Sequence, residues 1–165
     1  MRSKKLACLL LVLLTGCQSV NKPQGLNVKV KRVISGQTIE VVNNDKTILV
    51  RLIGIDAPDL QQQPFGQAAK GLLTQIIADK EVIIEFDEQK QDEFGRKLAY
   101  VWSNLLVNEY LVKQGVVIVS VKSPNHKYDT RLVRAQEWAR LQEQGIWNPE
   151  QPLTMTPAEF RAQYR

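Results

Sequence analysis

The first half of the domain shows a change in the spacing of its apolar residues, from the alternation typical of strands to the period of a helix. Leu26–Ile34 alternates valines with basic residues, and Thr38–Val42 and Thr47–Gly54 follow, separated by an Asn-Asn-Asp turn. This pattern predicts three antiparallel strands joined by tight turns. Gly66–Asp79 then carries apolar residues at positions i, i+3, i+4 and i+7. We therefore expect an amphipathic helix after Pro64.

The rest of the domain returns to strands and ends in helices. Two more strands are predicted at Glu81–Phe86 and Lys97–Trp102, and a short helix at Asn108–Gln114. The β-branched run Val116–Val121 is interpreted as a buried extended segment, and Tyr128–Gln144 as a long final helix. This order favours an α+β fold, namely a five-stranded OB-type β-barrel with about three packed helices.

The start of the chain has the pattern of an export signal. Basic residues precede the apolar run Leu6–Leu14, which is too short to cross a bilayer, since a spanning helix needs about 20 residues. The run ends in Leu-Thr-Gly-Cys, which resembles the bacterial lipoprotein box. We expect residues 1–16 to be a cleaved signal peptide and Cys17 to carry a lipid. An ordinary signal peptide with an accidental Cys is the alternative.

Processing at Cys17 would make the protein an exported, membrane-anchored lipoprotein, in the outer membrane if the cell is Gram-negative. Cys8 leaves with the signal, so the mature chain is expected to have no disulfide. The signal holds three of the 22 Lys and Arg residues, so its removal lowers the net charge from +5 to +2. That charge permits a nucleic-acid partner without indicating one. The expected organisation is a polar linker at 17–25, one domain at 26–150 and a polar tail at 151–165.

Charged side chains cluster at two strand ends. Arg51 stands before the end of the third predicted strand, and two carboxylates, Asp56 and Asp59, follow just beyond it. A polar loop, Asp92–Arg96, ends in a second arginine where the next strand begins. Arginine binds phosphoryl oxygens in bidentate fashion and stays charged at neutral pH. The cluster therefore indicates phosphate chemistry, with surface ion pairs at strand ends as the alternative.

Several strings along the domain match a known family in order and spacing. They are VISGQT from Val33, RLIGIDAPD from Arg51, DEFGRKLAY from Asp92, VNEYLVKQG from Val107 and GIW from Gly145. From about residue 33 to 147 the chain resembles the staphylococcal nuclease family. The resemblance implies an OB barrel that binds one Ca²⁺ beside a scissile phosphate and cleaves phosphodiester bonds of DNA or RNA. We expect a monomer.

The resemblance also implies roles for individual residues. Arg51 and Arg96 would grip the phosphate and stabilise the transition state, and Asp59 would orient or deprotonate the attacking water. Asp56 and the backbone carbonyl of Ala57 would bind calcium, which takes oxygen ligands.

Three positions depart from the family pattern. Gln37 stands where the family has a calcium-binding carboxylate, so it is only a weak candidate ligand. Asp59 replaces a glutamate and is shorter by one methylene. Phe94 stands at one of the positions where the family has a pocket tyrosine, and it is the candidate for base stacking. The sequence thus predicts a calcium-dependent endonuclease with attenuated activity. A catalytically degenerate nucleic-acid-binding OB domain and a structural envelope lipoprotein are the alternatives.

Overall fold

Five of the seven strands in the described part of the chain, residues 23–122 and 124–164, close into a barrel in the computed structural model. The strands are β1 (Leu26–Ser35), β2 (Thr38–Asn43), β3 (Lys46–Leu52), β4 (Gly54–Asp56), β5 (Glu81–Glu85), β6 (Lys97–Trp102) and β7 (Ile118–Ser120). The barrel order is β1-β2-β3-β6-β5, and β4 pairs with β7 outside it. The predicted OB-type barrel is confirmed. The predicted signal peptide and the lipid site at Cys17 lie outside the described residues.

Four α-helices and one 3₁₀ turn accompany the strands in that described part. They are α1 (Phe65–Ile77), α2 (Val107–Lys113), α3 (Asp129–Leu141) and α4 (Pro157–Tyr164), with the 3₁₀ turn at Gly145–Trp147. The first three match the helices predicted from the sequence. The fourth, α4, lies in the polar tail, where the sequence analysis predicts no helix. No helix within these residues has the length and apolar character needed to cross a bilayer.

The core is built from aliphatic side chains at alternate strand positions. Val28 and Val30 of β1 point inward, as the alternation predicts, and α1 covers one side of the barrel with Ala69, Leu73 and Ile77. Each fully buried aliphatic side chain of this kind contributes about 1.5–3 kcal/mol relative to exposure. Hydrophobic burial therefore supplies the main stabilisation of the domain.

Barrel closure depends on one parallel pair of strands. β3 and β6 run parallel, with Arg51 opposite Leu98, whereas the other barrel pairs are antiparallel. Parallel neighbours need a long crossover, and here the chain between them includes α1 and β5. The pairing brings the end of β3 beside the loop that precedes β6.

The predicted strand Thr47–Gly54 is interrupted by a sharp turn. β3 ends before Ile53, and Gly54 has a φ of +76°, a backbone conformation that glycine adopts readily. Asn108 of α2 is fully buried at the turn, where its Nδ2 donates to the Ile53 carbonyl (2.8 Å). Its Oδ1 accepts from the Val101 N–H of β6 (2.9 Å). After the turn the chain leaves the barrel sheet as β4, which ends at Asp56.

The run Val116–Val121 is less buried than the sequence predicts. Val117 is fully buried, but the three residues of β7 are half-buried and Val121 is 43% exposed. The prediction of a buried segment is therefore wrong for most of the run. The reason is topological, because β7 pairs with β4 in a two-stranded sheet outside the barrel.

Two glycines of α1 differ sharply in their surroundings. A Cβ at Gly66 would lie 1.9 Å from the carbonyl oxygen of Asp59, whereas a Cβ at Gly71 would meet no atom within 4 Å. We expect Gly66→Ala to lower the free energy of unfolding by about 1–3 kcal/mol through overpacking. Gly71→Ala is expected to raise it by about 0.5–1 kcal/mol, because alanine is the better helix former. Urea denaturation measures both, and equal stabilities would contradict the close contact at Gly66.

Candidate active site

Arg51 lies at the end of β3 with its side chain mostly buried. Its Nη1 donates to the carbonyl of Leu52 (3.2 Å) and its Nη2 to the carbonyl of Ile55 (3.1 Å). The turn at Gly54 makes the second bond possible, because it folds β4 back toward the arginine. The backbone thus holds the guanidinium in place before any ligand binds.

Arg51 lies among both acidic and basic side chains. Burial is the main cause of its altered pKa and lowers that pKa to about 10. Asp56 opposes this shift, while the positive charges of Arg96 and Arg161 add to it. Arg51 remains charged at neutral pH, so the site presents three guanidinium groups to an anion. An anion entering between them is expected to bind favourably.

Arg96 is positioned by a tight loop centred on Asp92. The Asp92 carboxylate accepts hydrogen bonds from Arg96 Nε (2.7 Å), the Arg96 N–H (2.9 Å) and the Phe94 N–H (3.0 Å). Gly95 permits the turn with a φ of +78°. Burial raises the pKa of Asp92, but the hydrogen bonds from Arg96 outweigh it, so the pKa is lowered overall. The charged carboxylate therefore orients the arginine.

Asp56 is a buried carboxylate between two arginines. It is 5% exposed, and its Oδ1 lies 3.6 Å from Arg51 Nη2. Its Oδ2 accepts a hydrogen bond of 2.6 Å from Nη2 of Arg161. The carboxylate predicted as a calcium ligand is thus held by guanidinium groups from the barrel and from the C-terminal helix.

Arg161 reaches the site from α4, a helix with a clear start. Thr156 Oγ1 accepts from the Glu159 N–H (3.2 Å), and the Glu159 carboxylate accepts from the Thr156 N–H (2.8 Å). This reciprocal pair is a capping box, and Pro157 occupies the first helical position. The sequence analysis missed Arg161. The string Thr-Pro-Ala-Glu at 156–159 was the signal that could have indicated the helix.

Gln62 joins the tail to the segment that carries Asp59. Its Nε2 donates to the Met155 carbonyl (2.7 Å), and its Oε1 accepts from the Asp59 N–H (3.2 Å). The Asp59 carboxylate itself accepts from the Gln61 N–H (3.0 Å). One buried amide therefore fixes the tail and the predicted general base relative to each other.

Two cavities meet at Arg96. One, of about 380 Å³, is lined by residues that include Arg51 and Phe94. The other, of about 440 Å³, is lined by residues that include Asp59 and Arg161, together with Gln37, Ala57 and Pro58. Of the predicted catalytic residues, Arg51 and Arg96 share the first cavity, and Asp59 and Arg96 share the second. Arg96 therefore lines both cavities.

Phe94 projects from the Asp92 loop into solvent. Its side chain is 74% exposed, and the Arg96 guanidinium lies 5.3 Å from the ring centroid. The exposed ring at the edge of the 380 Å³ cavity can stack against a base. The predicted stacking role is compatible with this position and stays a prediction.

The predicted calcium ligands do not form a calcium site in this arrangement. Gln37 Oε1 accepts a hydrogen bond of 2.6 Å from the Ala57 N–H, and Asp56 Oδ2 is bonded to Arg161. Across residues 23–122 and 124–164, no three His, Cys, Asp or Glu side chains form a group that could hold a metal ion. Calcium prefers about six to eight oxygen ligands, often carboxylates. The donor set therefore fits a guanidinium better than calcium.

Comparisons with known proteins agree with this architecture. A family model described as "Staphylococcal nuclease homologue" matches residues 49–149. A thermonuclease of Staphylococcus hyicus is 36% identical over 126 residues, which cover 73% of this chain and 75% of that protein. A thermonuclease of Staphylococcus intermedius is 35% identical over 130 residues, covering 75% and 77%. The endonuclease YncB of Bacillus subtilis is 32% identical over 138 residues, covering 79% and 65%.

Asp92 offers a test of how Arg96 is positioned. Asp92→Asn replaces the carboxylate that holds the guanidinium, and Glu88→Gln makes the same charge change at an exposed position. Removing one negative charge favours binding of a polyanion, and both variants share this effect. A difference in affinity between them therefore reports the positioning of Arg96. We expect Asp92→Asn to bind a short oligonucleotide about fivefold more weakly than Glu88→Gln, equivalent to about 1 kcal/mol. Fluorescence anisotropy measures the affinities, and equal values would contradict the positioning role.

Proposed function

Since this chain belongs to the staphylococcal nuclease family, we propose that it hydrolyses phosphodiester bonds of DNA or RNA outside the cytoplasm. The observation that carries the proposal is the convergence of Arg51 and Arg96 on one cavity, with Asp59 in the adjoining one. The nuclease names of the relatives support the same reaction class.

The two arginines suit a scissile phosphate. Arg51 is held by backbone carbonyls and Arg96 by Asp92, so both donors are oriented before the substrate arrives. Hydrogen-bond donors fixed in this way stabilise developing charge without reorganising during the reaction. The phosphate would lie beside Arg96, where the two cavities meet.

Asp59 would act on the attacking water from the 440 Å³ cavity. In this step the water oxygen bonds to phosphorus while its proton passes to the Asp59 carboxylate. The bond from phosphorus to the leaving oxygen breaks, and that oxygen keeps the electron pair and takes a proton from solvent. We expect a rate below that of a site with glutamate, because a general base must come within hydrogen-bond reach of the water and Asp59 is the shorter side chain.

The 380 Å³ cavity would receive the nucleoside next to the cleaved bond. Phe94 would provide an apolar face for a base, and stacking contributes about 1–3 kcal/mol per base without regard to sequence. Such recognition uses features shared by DNA and RNA. We therefore propose a nuclease of low sequence specificity that acts as a monomer.

The N-terminal segment of the chain has the features of an exported lipoprotein. The signal-like residues 1–16 and Cys17 support a lipid-anchored protein whose domain faces extracytoplasmic nucleic acid. Each buried methylene of an acyl chain contributes about 0.8 kcal/mol, so two or three chains anchor the protein durably. A polar linker at 17–25 would separate the membrane from the catalytic domain.

Substitution of the arginines tests the reaction. We expect Arg51→Ala and Arg96→Ala each to lower kcat/KM on single-stranded DNA and RNA by about 100-fold or more, because each removes a preorganised donor. Arg134→Ala removes an exposed arginine from α3 and is expected to leave the rate unchanged. The assay uses the full chain purified in detergent and follows cleavage of a labelled oligonucleotide.

The same assay separates the alternatives. Salt-sensitive binding of the oligonucleotide without cleavage would support a nucleic-acid-binding domain that lacks catalysis. Absence of both binding and cleavage would support the structural lipoprotein and contradict the proposed function.

The two cysteines allow a matched test of anchoring. Cys17→Ser removes the predicted lipid acceptor, whereas Cys8→Ser changes the same atom within the signal peptide. We expect Cys17→Ser alone to abolish incorporation of a labelled fatty acid and to alter signal processing. Metabolic labelling followed by immunoprecipitation measures this. Lipid on the Cys17→Ser protein would contradict the proposed anchor.

A further inference from the structure

Arg161 contacts one of the two carboxylate oxygens of Asp56, the residue that the family resemblance assigns to a metal ion; the other oxygen, Oδ1, lies 3.6 Å from Arg51 Nη2. Arg161 Nη2 lies 2.6 Å from Asp56 Oδ2, and calcium would require that oxygen at about 2.3–2.6 Å. Calcium at this carboxylate would be repelled by the guanidinium, so the two cations compete for the single negative charge of Asp56. Resting on the hydrolysis proposed above, we propose that the Arg161 guanidinium is a third catalytic cation that replaces calcium, so that cleavage is independent of this metal.

The charges of the site agree with that exchange. Relative to the family pattern, Gln37 removes one negative charge, and a guanidinium in place of a divalent ion removes one positive charge. The two changes cancel. Calcium beside Gln37 and Arg51 would instead give the site one more positive charge than the family pattern has. In a largely buried site the repulsion between like charges is only weakly screened.

Gln37 is also engaged in a way that suits a site without metal. Its Oε1 accepts the Ala57 N–H at 2.6 Å, so the amide supports the backbone beside Asp56. That bond uses one of the two lone pairs of the oxygen and so part of the capacity that an ion ligand would need. The residue thus stabilises the local structure where the family pattern has an ion ligand.

Arg161 has donors left for a substrate. One terminal nitrogen contacts Asp56, and the side chain is 30% exposed at the wall of the 440 Å³ cavity that Asp59 and Arg96 also line. A guanidinium carries further N–H groups in a planar fork that matches a phosphoryl oxygen pair. Arg161 would stabilise the charge that develops on the phosphate and would neither gain nor lose a proton.

The position of Arg161 is supported along the whole tail. Gln62 binds the Met155 carbonyl before α4, the capping box orders the first turn, and Pro157 is buried. The rings of Phe160 and Tyr164 pack at 4.7 Å between centroids within the helix. Arg161 lies beyond residues 49–149, which the family model matches.

The test measures cleavage of an oligonucleotide by the full chain in detergent, with the chelator EGTA or with millimolar CaCl₂. We expect wild-type rates in the two conditions to agree within about twofold. Arg161→Gln is expected to lower kcat about 100-fold with a smaller change in KM, because its donors act mainly in the transition state. Arg161→Lys keeps the charge without the planar fork and is expected to be intermediate. Arg134→Gln, the matched change on α3, is expected to have no effect.

A reciprocal variant gives a readout that does not depend on activity. Gln37→Asp combined with Arg161→Gln restores a second carboxylate and removes the competing cation. We expect calcium to raise the melting temperature of this double variant by several degrees, since a ligand that binds the native state stabilises it. The wild-type melting temperature is expected to stay unchanged in calcium.

The outcomes separate the two proposals. Wild-type cleavage that is lost in EGTA and restored by calcium would overturn the role of Arg161 and leave the nuclease function intact. Cleavage by Arg161→Gln at the wild-type rate would do the same. If Arg161→Gln fails to fold, the wild-type protein decides the question. A rise in its melting temperature on adding calcium would contradict the inference. An unchanged melting temperature, together with cleavage in EGTA, would support the inference. No cleavage by the wild type in either condition would contradict the proposed function itself.

Discussion

The parallel pairing of β3 with β6 is the constraint on which the site depends. It closes the barrel and places Arg51 opposite Leu98, two residues after Arg96. Two arginines that are far apart along the chain thereby stand at the same rim. Buried Asn108 secures this arrangement, because it bonds both the turn after β3 and the backbone of β6. Without the Asn108 amide, the buried Ile53 carbonyl and Val101 N–H would lose their hydrogen-bond partners, at a cost of about 1–3 kcal/mol each.

The site holds three guanidinium groups in place when no substrate is bound. Asp56 contacts two arginines, and burial lowers the pKa of Arg51 because water no longer solvates the guanidinium fully. A phosphodiester anion would restore a polar partner to the buried Arg51 guanidinium, so the burial that disfavours this charge in the free protein favours substrate binding. A nuclease that binds a polyanion near neutral pH benefits from arginine in particular, because its charge is retained even after this shift.

The C-terminal tail contributes to the candidate active site. Gln62 connects Met155 to the backbone of Asp59, and Arg161 connects α4 to Asp56. The segment between β4 and α1 is thus held from both sides, since Gly66 also packs directly against the Asp59 carbonyl. Asp59, the predicted base, and Arg161 are therefore linked through this segment. A displacement of the tail would shift the position of Asp59.

The sequence by itself determined the barrel and its first three helices, and it indicated candidate site residues. Alternation and helical period predicted the barrel strands and the first three helices, and the order of the motifs indicated Arg51, Arg96 and Asp59. Such patterns report local conformation and the residue types that one reaction needs, so they can be recognised along the chain. The tertiary structure alone decided what surrounds each side chain. The break at Gly54, the exposure of Val121, the bond from Ala57 to Gln37 and the approach of Arg161 to Asp56 all depend on contacts between distant segments. Arg161 lies 105 positions along the chain from the carboxylate it binds. Periodic patterns report only neighbouring residues, so they cannot predict a contact of this kind.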